Sequence, residues 1–473
     1  MKVLFIHFRS APARQMKKKR ARVDPLDSAG TDGVSLEMTK RRDLLEAMGH
    51  IVAVCSACEW ADFQIPDLEF DREETMTMVR NLFDLGTADV ASEAKLMSAF
   101  DTSCLELKRQ LAAVIKDFAP DMLFVHNIFC LPIHPVATVS LAELLKEQKL
   151  PCAAIHHDIL SEGAYKFNPT NNFARSLLKE YYPPITPKLR HWTINTRNKI
   201  ALAEKGVKAE VIHDTIDFEY RLKPTERDRI RARLRAKYGI ETNDVVLFVG
   251  ARIVPNKQTE LAGHLTAVLQ SVQQEMIGKR LYHGEVFSEK SRVVLVLAGR
   301  PERAFLDYQR KLFDLFDRLN ITWVYVGDNV RPYRSEDEGL YSLYPDWYAI
   351  ADFVSYTTGW EGFGNQLLEA FAAELPVVVF EYPVFKEDIA PKGVEVVSLG
   401  DTLLSESDSM SLVQISPAML NGAAHQIMAL LTNPEQWRRV VSKNARVGKN
   451  HFSYNVLRAH LDDALEWARS VGS

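Results

Sequence analysis

The sequence predicts an α/β protein of two doubly wound, Rossmann-like domains facing each other across a cleft. Three observations carry that reading. Short β-branched runs alternate with helical patterns along almost the whole chain, as parallel sheets require. The second half repeats the plan of the first. Between them, residues 223–238 are dense in Arg and Glu and read as an exposed helix and linker, which puts the break near residues 220–240. In the first half the runs at 3–7, 51–55, 122–126, 152–156, 191–195 and 210–213 predict strands, and 35–48, 103–118 and 136–148 predict helices. In the second half strands are expected at 245–250, 293–299, 322–327, 353–356 and 376–380. Ligands of such sheets sit at the carboxyl ends of the strands, so the residues that follow strands matter most.

A chain of 473 residues with 47% hydrophobic content supports two or three full-sized cores. A net charge of -4 gives no general reason to expect nucleic acid. The first eight residues are too short a run, and too soon interrupted by Arg9, for a secretory segment. No run approaches the roughly 18 apolar residues of a membrane span. The five cysteines all fall in the first third. Cys55-Ser-Ala-Cys58 has the spacing of a redox or half-zinc motif but no second pair, so free thiols at a strand end are the favoured reading. A cytoplasmic location is expected.

The segment Glu361-Gly-Phe-Gly-Asn-Gln-Leu-Leu-Glu369 sets two carboxylates on either side of a glycine turn that opens into a helix. A helix start presents backbone N–H groups and the positive end of the dipole, which suits phosphate. Carboxylates on either side accept hydrogen bonds from sugar and ribose hydroxyls. The pattern points to a nucleotide-sugar site. After the strand at 245–249 come Gly250, Arg252 and Lys257, where a close backbone and two cations can meet one diphosphate. In the first half, Gly30-Thr-Asp-Gly33 is a second glycine turn before a helix, open both to an N-cap role and to a ligand role. His126-Asn127 and His156-His157-Asp158 each close a strand, which favours ligand contact. Arg331 and Arg334 are open to a substrate role or a surface role. The basic run at 17–22 has three readings: a solvated loop, a nuclear or nucleic-acid patch, or a cover for an anionic substrate. Residues 401–416 are Ser-rich and expected as a surface loop. No P-loop, nucleophile elbow or helical His pair appears, so metal-assisted phosphate chemistry has no support in the sequence.

Together these residues resemble the retaining GT-B glycosyltransferases of family 4. The resemblance covers nearly the whole chain and is strongest over Ala351-Asp352, Glu361-Gly-Phe-Gly, Glu369-Ala and Pro376-Val. It extends to Gly250-Ala-Arg252, Lys257, Leu297-Ala-Gly-Arg-Pro-Glu302 and His157-Asp158, and departs from the family pattern at His213 and Thr215. It implies an acceptor-binding domain at 1–220 with a final helix at 453–470 packed on it, and a donor-binding domain at 240–450. It also implies a metal-independent, cofactor-free transfer of a hexose from a nucleotide sugar to a small carbohydrate acceptor. Glu369 would bind the ribose and Glu361 the donor sugar, with Gly250, Arg252, Lys257, Gly327, Gly362, Phe363, Gly364 and Asn365 around the diphosphate and Gly33 approaching it. His157, Glu361, Arg252 and Lys257 would carry catalysis, and Arg9, His126, Asn127 and Asp158 would meet the acceptor. Thr31-Asp-Gly-Val-Ser-Leu-Glu37 and Asp388-Ile-Ala-Pro-Lys-Gly393 add a narrower resemblance to mannosylglucosylglycerate-type synthases, which implies an anionic acceptor and GDP-mannose. A phosphorylase- or epimerase-like enzyme and an idle nucleotide-sugar-binding protein are the alternatives. The oligomeric state is left open.

Overall fold

The computed structural model describes residues 1–10, 33–84, 93–160, 167–335, 339–404 and 412–472. The basic run at 17–22 and the turn residues 30–32 lie outside these, as do residues 405–411 of the Ser-rich stretch. The chain divides into two compact units. The first runs to Asp214 and regains the chain at Asn455, and the second spans Thr215–Tyr454.

The first unit is built on seven parallel strands: β1 (Lys2–Ile6), β2 (Ile51–Ser56), β3 (Phe63–Gln64), β4 (Met122–His126), β5 (Cys152–His156), β6 (Leu189–Thr193) and β7 (Ala209–Val211). Their order is β3-β2-β1-β4-β5-β6-β7, with Phe5 opposite Phe124 and Val125 opposite Ala154. Leu4, Phe5, Ile6 and Leu123 to Val125 are buried, as expected of strands covered on both faces. The helices are α1 (Gly33–Ala47), α2 (Glu73–Leu82), α3 (Glu93–Phe118), α4 (Pro135–Gln148), α5 (Asn172–Tyr181) and α6 (Thr196–Glu204). Side chains start three of them. His134 caps α4 ahead of Pro135, and Asn171 and Asn195 accept from Ala174 N and Asn198 N at α5 and α6. Helix α3 begins at Glu93, well before the expected residue 103. The five cysteines are free thiols.

The second unit is built on six parallel strands: β8 (Val245–Val249), β9 (Val293–Leu297), β10 (Trp323–Tyr325), β11 (Phe353–Tyr356), β12 (Val377–Val379) and β13 (Val397–Ser398), in the order β10-β9-β8-β11-β12-β13. Every residue of β8 and β9 is buried. Its helices are α7 (Pro224–Lys237), α8 (Thr259–Val272), α9 (Leu306–Arg318), α10 (Asn365–Ala372), α11 (Pro417–Leu431) and α12 (Pro434–Phe452). The last helix, α13 (Tyr454–Gly472), belongs from Asn455 onward to the first unit. There it buries Leu457, Leu461 and Leu465, while Asp463 takes Arg190 at 2.7 Å and Trp467 lies under the same guanidinium. No helix among the described residues is long and apolar enough to cross a membrane.

Two expectations need correction. Residues 223–238 form a helix that is exposed along much of its length but is not a linker: α7 belongs to the second unit and buries Ile230, Leu234 and Arg235 there. Arg231 and Arg235 both reach Asp352, which is fully buried just before β11. Asp352 also accepts from Val246 N at 2.7 Å and from the Tyr282 hydroxyl at 2.8 Å. Its carboxyl is held well below the usual carboxylate range, the two arginines outweighing burial. Near the Ser-rich stretch, Val413 and Ile415 are core residues rather than surface loop, and Val413 N donates to the buried Glu260 at 2.8 Å.

Removing a partner from a buried ion pair costs about 3–5 kcal/mol, because the remaining charge is stranded. Asp352→Ala is expected to destabilise the second unit by that order, read as a lowered urea midpoint. An unchanged midpoint would show that the arginines find other partners.

Candidate functional site

In the second unit the site lies where β8 and β11 end. Strand β11 finishes at Tyr356, and the chain then runs Thr357-Thr358-Gly359-Trp360 into the Glu361–Glu369 segment. The turn after β8 is stitched to this run. Thr357 Oγ1 donates to Lys257 O at 3.1 Å, Thr358 Oγ1 to Asn256 O at 3.1 Å, and Gly359 N to Asn256 O at 2.9 Å. That fixes Lys257, which is 4% exposed, against Glu361, and the two form an ion pair. Tyr356 hydroxyl donates to Glu361 at 3.1 Å. Both contacts converge on Oε1, and neither engages Oε2. At the other end of the motif, Tyr348 hydroxyl donates to Glu369 Oε2 at 2.8 Å. Burial, and then the neighbouring carboxylates, push Tyr348 and Tyr356 well above the ordinary phenol range, so both stay protonated and act as donors.

The turn between the two glutamates depends on Gly364. Its φ is 140°, and a Cβ there would lie 2.5 Å from the Tyr382 hydroxyl, which itself donates to Phe363 O. Phe363 points into the core, packed edge-on to Phe452 at 5.3 Å. Helix α10 begins at Asn365 with no side chain capping it. An uncapped helix start, two anchored carboxylates and one buried ammonium can hold a phosphorylated, hydroxyl-rich ligand. Gly362 lies in this turn, and Gly250 follows β8 with Tyr348 hydroxyl against it.

The other predicted residues are placed differently. Arg252 is half exposed and pairs with Glu302. Gly327 packs on the Tyr325 ring, and its carbonyl accepts from Arg300 Nε at 2.9 Å. Arg331 donates to Asp328 O at 2.6 Å, and Arg334 pairs with Glu226 and Asp346. Arg331 thus braces its own loop, and Arg334 ties that loop to α7. The sequence singled out none of Tyr348, Tyr356 and Tyr382. A tyrosine closing a short strand such as β11 was the available signal.

In the first unit, Asn127 joins the ends of β4 and β5. Its backbone is left-handed, at φ 55°. Its Oδ1 accepts from His157 N at 2.8 Å, and its Nδ2 donates to Asp158 at 2.9 Å. His126 and His157 stack and meet at 3.3 Å through Nδ1 and Nε2, and His7 Nδ1 lies 2.8 Å from His126 O. On the same strand end His156 sits between Cys130 at 3.2 Å and His191 at 2.9 Å. Burial, followed by the charge of Arg41, holds His126 and His157 well below the ordinary imidazole range, so both are neutral at physiological pH. Arg9 is not available in the way expected: its guanidinium takes Glu69 and Asp71 and stacks on Phe70. Gly33 opens α1 with nothing near where a Cβ would stand. Among the described residues no cluster of three or more His, Cys, Asp or Glu is arranged to hold a metal ion.

No family profile matches the chain. The mannosylglucosylglycerate synthase of Thermotoga maritima is 32% identical over 429 residues, 90% of this chain and 95% of that protein. The chain belongs to the mannosylglucosylglycerate synthase family. The synthase of that name from Petrotoga mobilis is 31% identical over 433 residues, covering 90% of this chain and 97% of its own. Among solved structures, the sucrose-phosphate synthase of Thermosynechococcus elongatus aligns over 99% of both chains with a TM-score of 0.60 at 13% identity. Anabaena HepE in complex with UDP and glucose aligns over 98% of this chain and 99% of its own, with a TM-score of 0.55 at 16% identity. These likenesses show the fold, which is GT-B, with two Rossmann-like domains. As a mannosylglucosylglycerate synthase family member, the protein is a glycosyltransferase that uses a nucleotide sugar.

Two outcomes are expected from this geometry. Tyr356→Phe keeps the ring but removes one donor to a charged acceptor, worth about 1.5–3 kcal/mol, so transfer should fall roughly 10- to 100-fold with the fold retained. Transfer at the full rate in that variant would show that Lys257 alone positions Glu361. The buried histidines set an acid limit. His126, His156, His157 and His191, the last lowered to about 4, bind protons in the unfolded chain below pH 6.5 but not in the folded one. Their contribution is whole above pH 6.5 and is lost as pH falls, each by up to about 1.4 kcal/mol per pH unit. Urea midpoints measured from pH 7.5 to 5.5 should drop steeply below 6.5, and a flat profile would contradict neutral imidazoles.

Proposed function

We propose that the chain transfers mannose from GDP-mannose to a small glucoside bearing a carboxylate, with retention at the sugar carbon and without a metal. The observation that carries this reading is the pair of tyrosine-anchored carboxylates, Glu361 and Glu369, around an uncapped helix start beside buried Lys257. The names of the two relatives supply the product class, a mannosyl group joined to glucosylglycerate. Glu369 takes the ribose hydroxyls and Glu361, through Oε2, a hydroxyl of the sugar. Lys257 and the amides at the start of α10 take the diphosphate, with Arg252 released from Glu302 to join them. The bond from the sugar carbon to the diphosphate oxygen breaks and the acceptor oxygen bonds that carbon on the same face. The departing diphosphate oxygen receives the acceptor's proton, so no side chain has to serve as base. Charge building on the diphosphate is met by fixed donors, which supply most of the stabilisation in such a site. In the first unit, neutral His157 is a hydrogen-bonding partner to substrate rather than a cation.

A thermal-shift panel of GDP, UDP and ADP tests the donor. GDP at 100 times its dissociation constant should stabilise by about 2.7 kcal/mol. Lys257→Ala should lose that shift. Glu361→Ala should keep it yet lose transfer to glucosylglycerate by at least about 100-fold, roughly 2.7 kcal/mol of barrier. Full transfer by Glu361→Ala, or stabilisation by UDP alone, would overturn the assignment.

A further inference from the structure

We propose that Arg41 forms a carboxylate-binding site in the first unit. It is fully buried on α1, where Met38, Leu44 and Leu45 mark the face turned to the core and a hydrophobic residue would be the ordinary occupant. Its Nη1 is engaged by the Glu37 carbonyl and by Glu37 Oε2, each at 3.0 Å. Its Nε and Nη2 have no hydrogen-bond partner. Those two N–H groups share one edge of the guanidinium, parallel and spaced to meet both oxygens of a planar carboxylate. A guanidinium cannot shed its proton to escape burial, so an empty edge out of water carries a cost that an anion relieves. Glu37 offsets only part of the charge, since the same carboxylate also takes Lys40.

A second group stands with it. His126 Nε2 is buried and likewise has no hydrogen-bond partner. After burial, Arg41 is the strongest electrostatic influence on both His126 and His157, which stand at the ends of β4 and β5. The chemistry favours a carboxylate over a phosphate. One guanidinium edge balances a single negative charge, whereas a phosphate dianion calls for further cations. Arg9, the cation the sequence offered for an anionic acceptor, is already engaged by Glu69 and Asp71. The site deepens the proposed function by naming what holds the acceptor's charged end, and it rests on that reading for the carboxylate's owner.

The test compares glucosylglycerate with glucosylglycerol, its uncharged counterpart, on the full chain. Binding is read by calorimetry for the natural protein, for Arg41→Lys, which keeps the charge and loses the fork, and for the Glu37→Gln/Arg41→Gln double variant, which strands no buried charge. Glucosylglycerate should bind the natural protein at least 10-fold more tightly than glucosylglycerol. That preference should shrink several-fold in Arg41→Lys and vanish in the double variant, and the KM for glucosylglycerate should rise correspondingly with kcat changed less than 3-fold. The same preference in all folded variants, or none in the natural protein, would overturn the proposal. GDP stabilisation, measured on the same samples, should be unchanged throughout. Its absence in the natural protein would count against the donor assignment and leave the carboxylate comparison to be judged by itself.

Discussion

A parallel strand covered on both faces has no room for polar side chains along its length, and that constraint arranges the rest of this protein. Strands β8 and β9 are consequently apolar from end to end. Charge is pushed to the strand ends, where it divides by purpose. Strand β11 shows the division over four residues, a span of about 13 Å. Asp352 stands before it, locked to two arginines, and Tyr356 ends it with its hydroxyl on Glu361. A structural ion pair and a site carboxylate are thus held at the two ends of one short rod.

The site residues are held before any ligand arrives. Lys257 is carried by a turn sewn to the loop after β11, Glu361 is gripped through one oxygen by two groups, and Glu369 is held by Tyr348. Donors and acceptors with fixed directions need little reorganisation during reaction, which is what makes them effective in a site closed to water. The tyrosines matter because burial beside carboxylates keeps them as donors over the whole working pH range.

Much of this was legible in the sequence. Apolar runs located the central strands to within a few residues, and the glycine turn between glutamates marked the segment on which the candidate site is built. The rest depends on partners far along the chain. Periodicity reads α7 as all charge and hence exposed, because Asp352, which neutralises its arginines, comes more than a hundred residues later. Arg9 looked free for a substrate because Glu69 and Asp71 lie some sixty residues on. Tyr356 carried only its place at the end of a strand as a mark, and an aromatic there is as well suited to a core as to a carboxylate. Arg41 lay hidden for the opposite reason: a cation on a helix reads as surface, and only the fold reveals it as interior.

The closing helix, α13, belongs to the unit that the chain began, with the whole second unit lying between the two in sequence. During synthesis the second unit is therefore finished first. The first unit waits with the surface meant for Leu457, Leu461 and Leu465 uncovered until residues 455–472 emerge. For an interval set by the pace of the ribosome, the nascent protein holds a complete second unit and an unfinished first one, and residues 455–472 supply the apolar face that the first unit lacks.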